Sequence, residues 1–237
     1  MQLVEVVVRG TPACLTGDRL ADEPALAAAW EQARDGVELR RAFERQYRFV
    51  RVLRQDGILH RRIGGRRAAV RVDTVVFTPD SVAARNRRAQ AADRARGYRQ
   101  SNLIDVPNEK QLVSPGFLRD HCLDAQLVHA EGLVGVRFRP VTPTRDRDEV
   151  RGTLWLDARR YLARYLDVEW VRGDARSAVG RLVYADVSVP GGVVRLPTGG
   201  QLTLDRIYGA AAGALLSGAE ATLTYTYRDF APAASAP

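Results

Sequence analysis

Residues 133–170 read LVGVRFRPVTPTRDRDEVRGTLWLDARRYLARYLDVEW. At the start of this stretch Val134, Val136 and Phe138 alternate with Gly135, Arg137 and Arg139. That period of two puts apolar side chains on one side of a strand and polar ones on the other. Thr153–Asp157 and Leu162–Trp170 read as the next two strands, and the short connection between them favours an antiparallel hairpin. Leu162, Leu166, Val168 and Trp170 fall on one face of the second strand. Together with Leu154 and Leu156 of the first, they form a candidate apolar sheet face.

The same alternation continues toward the C-terminus. Arg181–Val189, Val193–Leu196, Leu202–Tyr208 and Ala221–Tyr227 read as strands, with turns expected at Gly173-Asp174, Pro190-Gly191-Gly192 and Gly199-Gly200. Upstream, Leu3–Arg9 reads as a short strand. Asp22-Glu23-Pro24 starts a helix, because an acid caps and a proline needs no N–H partner in the first turn. Leu26, Trp30, Ala33 and Val37 then recur at helical spacing to about Arg41 or Phe43. Tyr47–Leu53 is a strand, Asp56-Gly57 a hairpin turn signal, and Ile58–Ile63 and Ala68–Phe77 further strands. Pro79 opens an Ala/Arg-rich helical segment over 80–97, and 100–116 reads as loop. Short antiparallel strands at this spacing argue against βαβ units. The expected architecture is mainly β within an α+β plan: a curved antiparallel sheet or half-barrel with two helical segments in the first 100 residues. A single domain spans 1–229. Its helices fall within residues 1–113, residues 114–229 are all β, and 230–237 form a flexible tail.

With 237 residues, 46% of them hydrophobic, the chain can bury a core without staples. The net charge of +8 is unevenly placed. Between Ala84 and Arg99 there are six arginines against Asp93. As a helix, this segment carries Arg85, Arg88, Arg96 and Arg99 as a basic surface. Such a surface is either a solvated face or a contact for anionic lipid headgroups or an acidic partner. Tyr98 is its single aromatic residue, which disfavours nucleic acid because stacking platforms are missing. Elsewhere the basic character is almost wholly arginine: of 36 basic residues, Lys110 alone is lysine.

Asp120-His121-Cys122 is the most suggestive local cluster, but neighbouring residues on a strand point to opposite faces. Cys14 and Cys122 are the two cysteines, and two free thiols or one disulfide both fit. No C-x-x-C occurs, and His60, His121 and His129 are the only histidines, so neither metal nor cofactor is read. The glycine pairs lack the strand–helix context of a phosphate loop.

The segments PGFLRDHC (115–122), GLVGVRFRP (132–140) and RGTLWLD (151–157), with Ala13-Cys14-Leu15 and the helix around WEQAR (30–34), resemble the C-terminal module of carboxypeptidase-regulatory-like-domain proteins of Gemmatimonas-like bacteria. The Gly-x-Leu-Trp-Leu-Asp strand, followed by one ending in Trp, also resembles the periplasmic lipoprotein-carrier half-barrel. After Leu196-Pro197-Thr198-Gly199-Gly200 the chain departs from the first family, with Gln201-Leu202 where relatives carry a Trp-containing strand. The resemblance implies an exported protein, periplasmic or associated with the outer membrane, whose relatives carry a signal peptide and a sandwich domain ahead of this region. It implies no peptidase chemistry. In that oxidising compartment Cys14 and Cys122 would be bonded. The function it implies is non-enzymatic: binding of a lipid, an acyl chain or a lipoprotein in a concave sheet. The competing readings are a structural or protein-interaction module with a filled core, and a basic nucleic-acid binder.

Overall fold

The computed structural model describes residues 13–61, 65–84, 109–143, 145, 149–173, 175–204 and 216–233. Leu3–Arg9 and the four arginines Arg85, Arg88, Arg96 and Arg99 lie outside the described residues. The first strand is β1 (Cys14–Leu15), followed by a 3-10 turn over Gly17–Asp22 and then α1 (Pro24–Gln46), β2 (Tyr47–Arg61) and β3 (Arg66–Phe77). A helical stretch, α2, covers 79–84, and two short helices follow, α3 (Glu109–Leu112) and α4 (Pro115–Asp120). The remaining strands are β4 (His121–Asp124), β5 (Val128–Ala130), β6 (Leu133–Pro140), β7 (Glu149–Asp157), β8 (Ala163–Arg172), β9 (Ala175–Val189), β10 (Gly192–Leu204) and β11 (Leu216–Pro232).

These strands form one curved, open, antiparallel sheet in the order β1-β4-β6-β7-β8-β9-β10-β11-β2-β3, with β5 pairing beside β6. From β6 to β11 the chain meanders, each strand pairing with the next. The early hairpin β2–β3 then extends the sheet beyond β11. Each strand's alternation sends one set of side chains toward the helices. Register aligns Val136, Leu154, Leu166, Leu182, Gly200 and Leu223 into an apolar belt across six strands, ending on the buried Gln55 of β2. Trp155 and Trp170 lie on the paired strands β7 and β8, and Trp170 is buried. No described helix is long and apolar enough to cross a membrane.

Four expectations from the sequence give way. Asp56-Gly57 is no turn: both residues sit inside β2, opposite Val70 and Ala69. Gly57 is needed because β11 passes close, and a Cβ there would stand 2.9 Å from the Glu220 carbonyl oxygen. Gly199-Gly200 likewise lies inside β10, after an irregularity in register. At Gly200 the place of a side chain is taken by Leu182 and Leu223, and a Cβ would meet the Arg181 carbonyl oxygen at 2.5 Å. The expected loop 100–116 contains α3 and the start of α4, which Ser114 caps by accepting from the Phe117 N–H at 3.2 Å, so the helices are not confined to residues 1–113 and residues 114–229 are not all β. Finally, strand β11 runs through Pro232, three residues into the expected tail, and Phe230 packs within 5.9 Å of Phe43 and 5.8 Å of Phe49, centroid to centroid.

Candidate ligand face and open-face groove

Of the six residues expected on the apolar sheet face, Leu154, Leu156, Leu166, Val168 and Trp170 are buried among the core side chains. Leu162 precedes β8 and is half-buried, but it also lies on the helix side: its Cδ2 would be 3.7 Å from a Cβ built on Gly36 of α1. The belt is covered chiefly by α1. Before Gly36 this helix buries Leu26, Ala29, Trp30 and Ala33. Small residues here let the helix approach the sheet closely, with Trp30 as its main filler.

Beyond Gly36 the helix is held differently. Val37 and Phe43 are buried, and Phe43 joins Tyr47, Phe49, Phe77, Tyr227 and Phe230 in a cluster of rings with centroid separations of 4.8–6.1 Å. Glu44, 1% exposed, accepts from Arg40 Nε at 3.1 Å and also pairs with Lys110 Nζ of α3. Burial by itself would raise the Glu44 pKa. The Arg40 and Lys110 charges and their hydrogen bonds outweigh it, so the carboxyl titrates below its ordinary value. The chain's single lysine therefore sits in a buried ionic network that ties α3 to α1.

The disulfide between Cys14 and Cys122 joins β1 to β4, with Cα atoms 5.4 Å apart and a sequence separation of 108. It anchors the strand from which the chain enters α1. It also commits the Cys122 sulfur, so the Asp120-His121-Cys122 cluster offers no thiol nucleophile. His121 is buried and stacked on Phe117 at 4.0 Å, and desolvation holds its pKa below the usual histidine value.

The opposite face carries a groove of about 520 Å³. Register places Arg137, Thr153, Asp167, Arg181 and Gln201 in one row across its strands, with Arg151, Glu169, Val179 and Thr203 in the next. The acids are paired: Asp124 with Arg139 at 3.0 Å, Glu169 with Arg151 at 2.8 Å, and Asp167 with Arg181 through two hydrogen bonds of 2.5 and 2.8 Å. Asp167 also accepts from the Trp155 indole at 2.9 Å, and Arg181 stacks over Tyr165 at 5.3 Å. Its hydrogen bond to Asp167 holds the Arg181 guanidinium pKa above its usual value. Arg137 is exposed and makes no ion pair among the described residues. The groove is lined mostly by charged and polar residues and lies across the sheet from the apolar belt. No local sequence pattern marks it, because it arises from register across five strands.

No family model matches the chain, so the likeness to carboxypeptidase-regulatory-like-domain proteins has no support from that side. No curated protein matches either. Among solved structures, a LolA superfamily protein from Nitrosomonas europaea is similar, with a TM-score of 0.35 and 10% identity, covering 86% of this chain and 94% of that one.

Proposed function

We propose that the protein is a non-enzymatic carrier of the bacterial envelope that takes a lipid or acyl chain between helix α1 and the apolar face of its sheet. The supporting observation is the belt itself: an apolar surface continuous across six strands, covered mainly by one helix whose first half meets it through few large side chains. The magnitudes allow exchange. Freeing Leu26 and Trp30 from the sheet gives up on the order of 6 kcal/mol of burial, which about eight acyl methylenes return at about 0.8 kcal/mol each. The disulfide fits an oxidising compartment. The basic segment carrying Arg85, Arg88, Arg96 and Arg99 would supply attraction to an anionic membrane surface.

A second reading, a structural or protein-interaction module, is favoured by a different observation. The belt is packed with the chain's own side chains, and the groove described on the other face is lined mostly by charged and polar residues, many of them already ion-paired. Titration with a dansyl-labelled fatty acid separates the two, read as energy transfer from the tryptophans. Saturable binding that unlabelled fatty acid displaces is the expected result. A folded protein, by circular dichroism, that shows no saturable binding would reject the carrier and leave the module.

A further inference from the structure

The two edges of the sheet are unlike. Among the described residues, one ends in β1, two residues long and fixed by the disulfide. The other is β3, twelve residues long, and among the described residues it pairs with β2 alone. Among the described residues nothing pairs with its outer side, which presents a row of backbone donors and acceptors. Soluble proteins protect such an edge with brevity, bulges or charges, whereas β3 pairs with β2 without a register shift from Arg66 to Phe77. Its alternate positions Val70, Val72 and Val76 are 62%, 56% and 52% exposed. With Ile58, which the β2–β3 register places on the same side of the hairpin, they make up four of the seven large exposed hydrophobics among the described residues. The apolar side chains and the open edge thus coincide on one element, and nothing in the acyl-chain reading uses them.

We propose that β3 is a self-pairing edge, joining a second copy of this chain in antiparallel register about Val72. The pattern is self-complementary about that residue. An antiparallel pair centred there sets Val72 against its own copy, Val70 against Thr74, and Arg71 against Asp73 twice over. Each of these is a favourable cross-strand neighbour. Moving the centre by one residue would set Arg71 against Arg71 or Asp73 against Asp73, so charge selects against the adjacent registers. Arg71 and Asp73 already pair within the strand at 2.8 Å, and the dimer would interleave two such pairs. The sheets of the two copies would become continuous, with the valine strip running across the axis.

The test is sedimentation of the full chain over a concentration series, with two variants. The native protein is expected to shift from monomer to twice the monomer mass as concentration rises. Val72→Lys changes an exposed residue and sets like charges face to face on the axis, so it is expected to remain monomeric while keeping the native circular dichroism. Val72→Cys is expected to form a covalent dimer on mild oxidation, because facing residues in an antiparallel pair lie about 4.5–5.5 Å apart at Cα, within disulfide reach. Val70→Cys, facing Thr74 instead, is expected to cross-link far less. A native protein that stays monomeric at every concentration would overturn the proposal. So would a dimer that survives Val72→Lys, or one that cross-links equally from both cysteines.

Discussion

Before Gly36, helix α1 meets the sheet through Leu26, Ala29, Trp30 and Ala33; after it, through Val37 and a cluster of aromatic rings, while a buried ionic network ties it to α3. The first kind of contact is non-directional and can be replaced by any apolar group of similar area. The second cannot: withdrawing Glu44 would take from Arg40 and Lys110 the buried carboxylate that both of them pair with. On the proposed carrier reading, the first half of the helix would be the part exchangeable against a ligand, and the second half its anchor. A carrier needs both, a cover that can yield and a point from which it returns.

The largest expected effect concerns what tethers the exchangeable half. Replacing Cys14 and Cys122 by alanine removes a loop closure over 108 residues. In the chain-entropy model this is worth about 4–5 kcal/mol. Urea unfolding should register a loss of that order. Hydrogen exchange should show the amides before Gly36 losing more protection than those after it, which widens the contrast between the halves. Equal loss in both would mean that the disulfide holds the domain as a whole and not the entry to α1.

Attacking the anchor should narrow the contrast. Glu44→Ala takes from Arg40 and Lys110 the carboxylate that joins them, and breaking a buried ion pair typically costs about 3–5 kcal/mol. The sign of the pH dependence follows from the lowered pKa. The folded state favours the ionised carboxyl, so its contribution is fully present above the unfolded value, near 4.5, and is lost as pH falls through the folded one. Native protein should lose stability in that acid range. A Glu44→Gln variant, already less stable at neutral pH, should lose less there. An identical acid profile for the two would remove Glu44 from the account of the anchor.

How much of this was legible in the sequence depends on the range of the signal. Strand alternation is local, so Val134, Val136 and Phe138, and with them Leu154, Leu166, Val168 and Trp170, can be assigned to a buried face from the residue pattern alone. The two glycine pairs misled because Asp56-Gly57 and Gly199-Gly200 carry the local signature of a turn. What demands glycine there is the close approach of a neighbouring strand, β11 to Gly57 and β9 to Gly200. Phe230 was hidden by the Ala/Pro composition that follows it, and its ring partners lie far away in sequence. The Glu44–Lys110 pair spans 66 residues, and no local pattern announces it. Its one trace is compositional: the only lysine in a chain of arginines sits where a compact ammonium meets a buried carboxylate. Ser114-Pro115, a cap followed by a proline, was a readable start for the short helix α4.

The smallest expected effect on stability bears most directly on the two halves of α1. Glycine in a helix interior costs about 0.5–1 kcal/mol relative to alanine, through the freedom it gives the backbone. At Gly36 the structure does not require that freedom for space. A Cβ would meet Leu162 Cδ2 at 3.7 Å, an ordinary contact, with no other heavy atom of the described residues within 4 Å apart from its neighbours in the helix. Gly36→Ala should therefore raise stability by about 0.5–1 kcal/mol in urea unfolding, by removing entropy from the unfolded chain and stiffening the helix. If the first half yields to an acyl chain by bending at this residue, the same variant should take up the dansyl fatty acid more slowly in stopped-flow mixing. A variant that is stabilised and binds at the native rate would show that α1 moves as one rod. The boundary between exchangeable cover and anchor would then have to lie at the end of the helix.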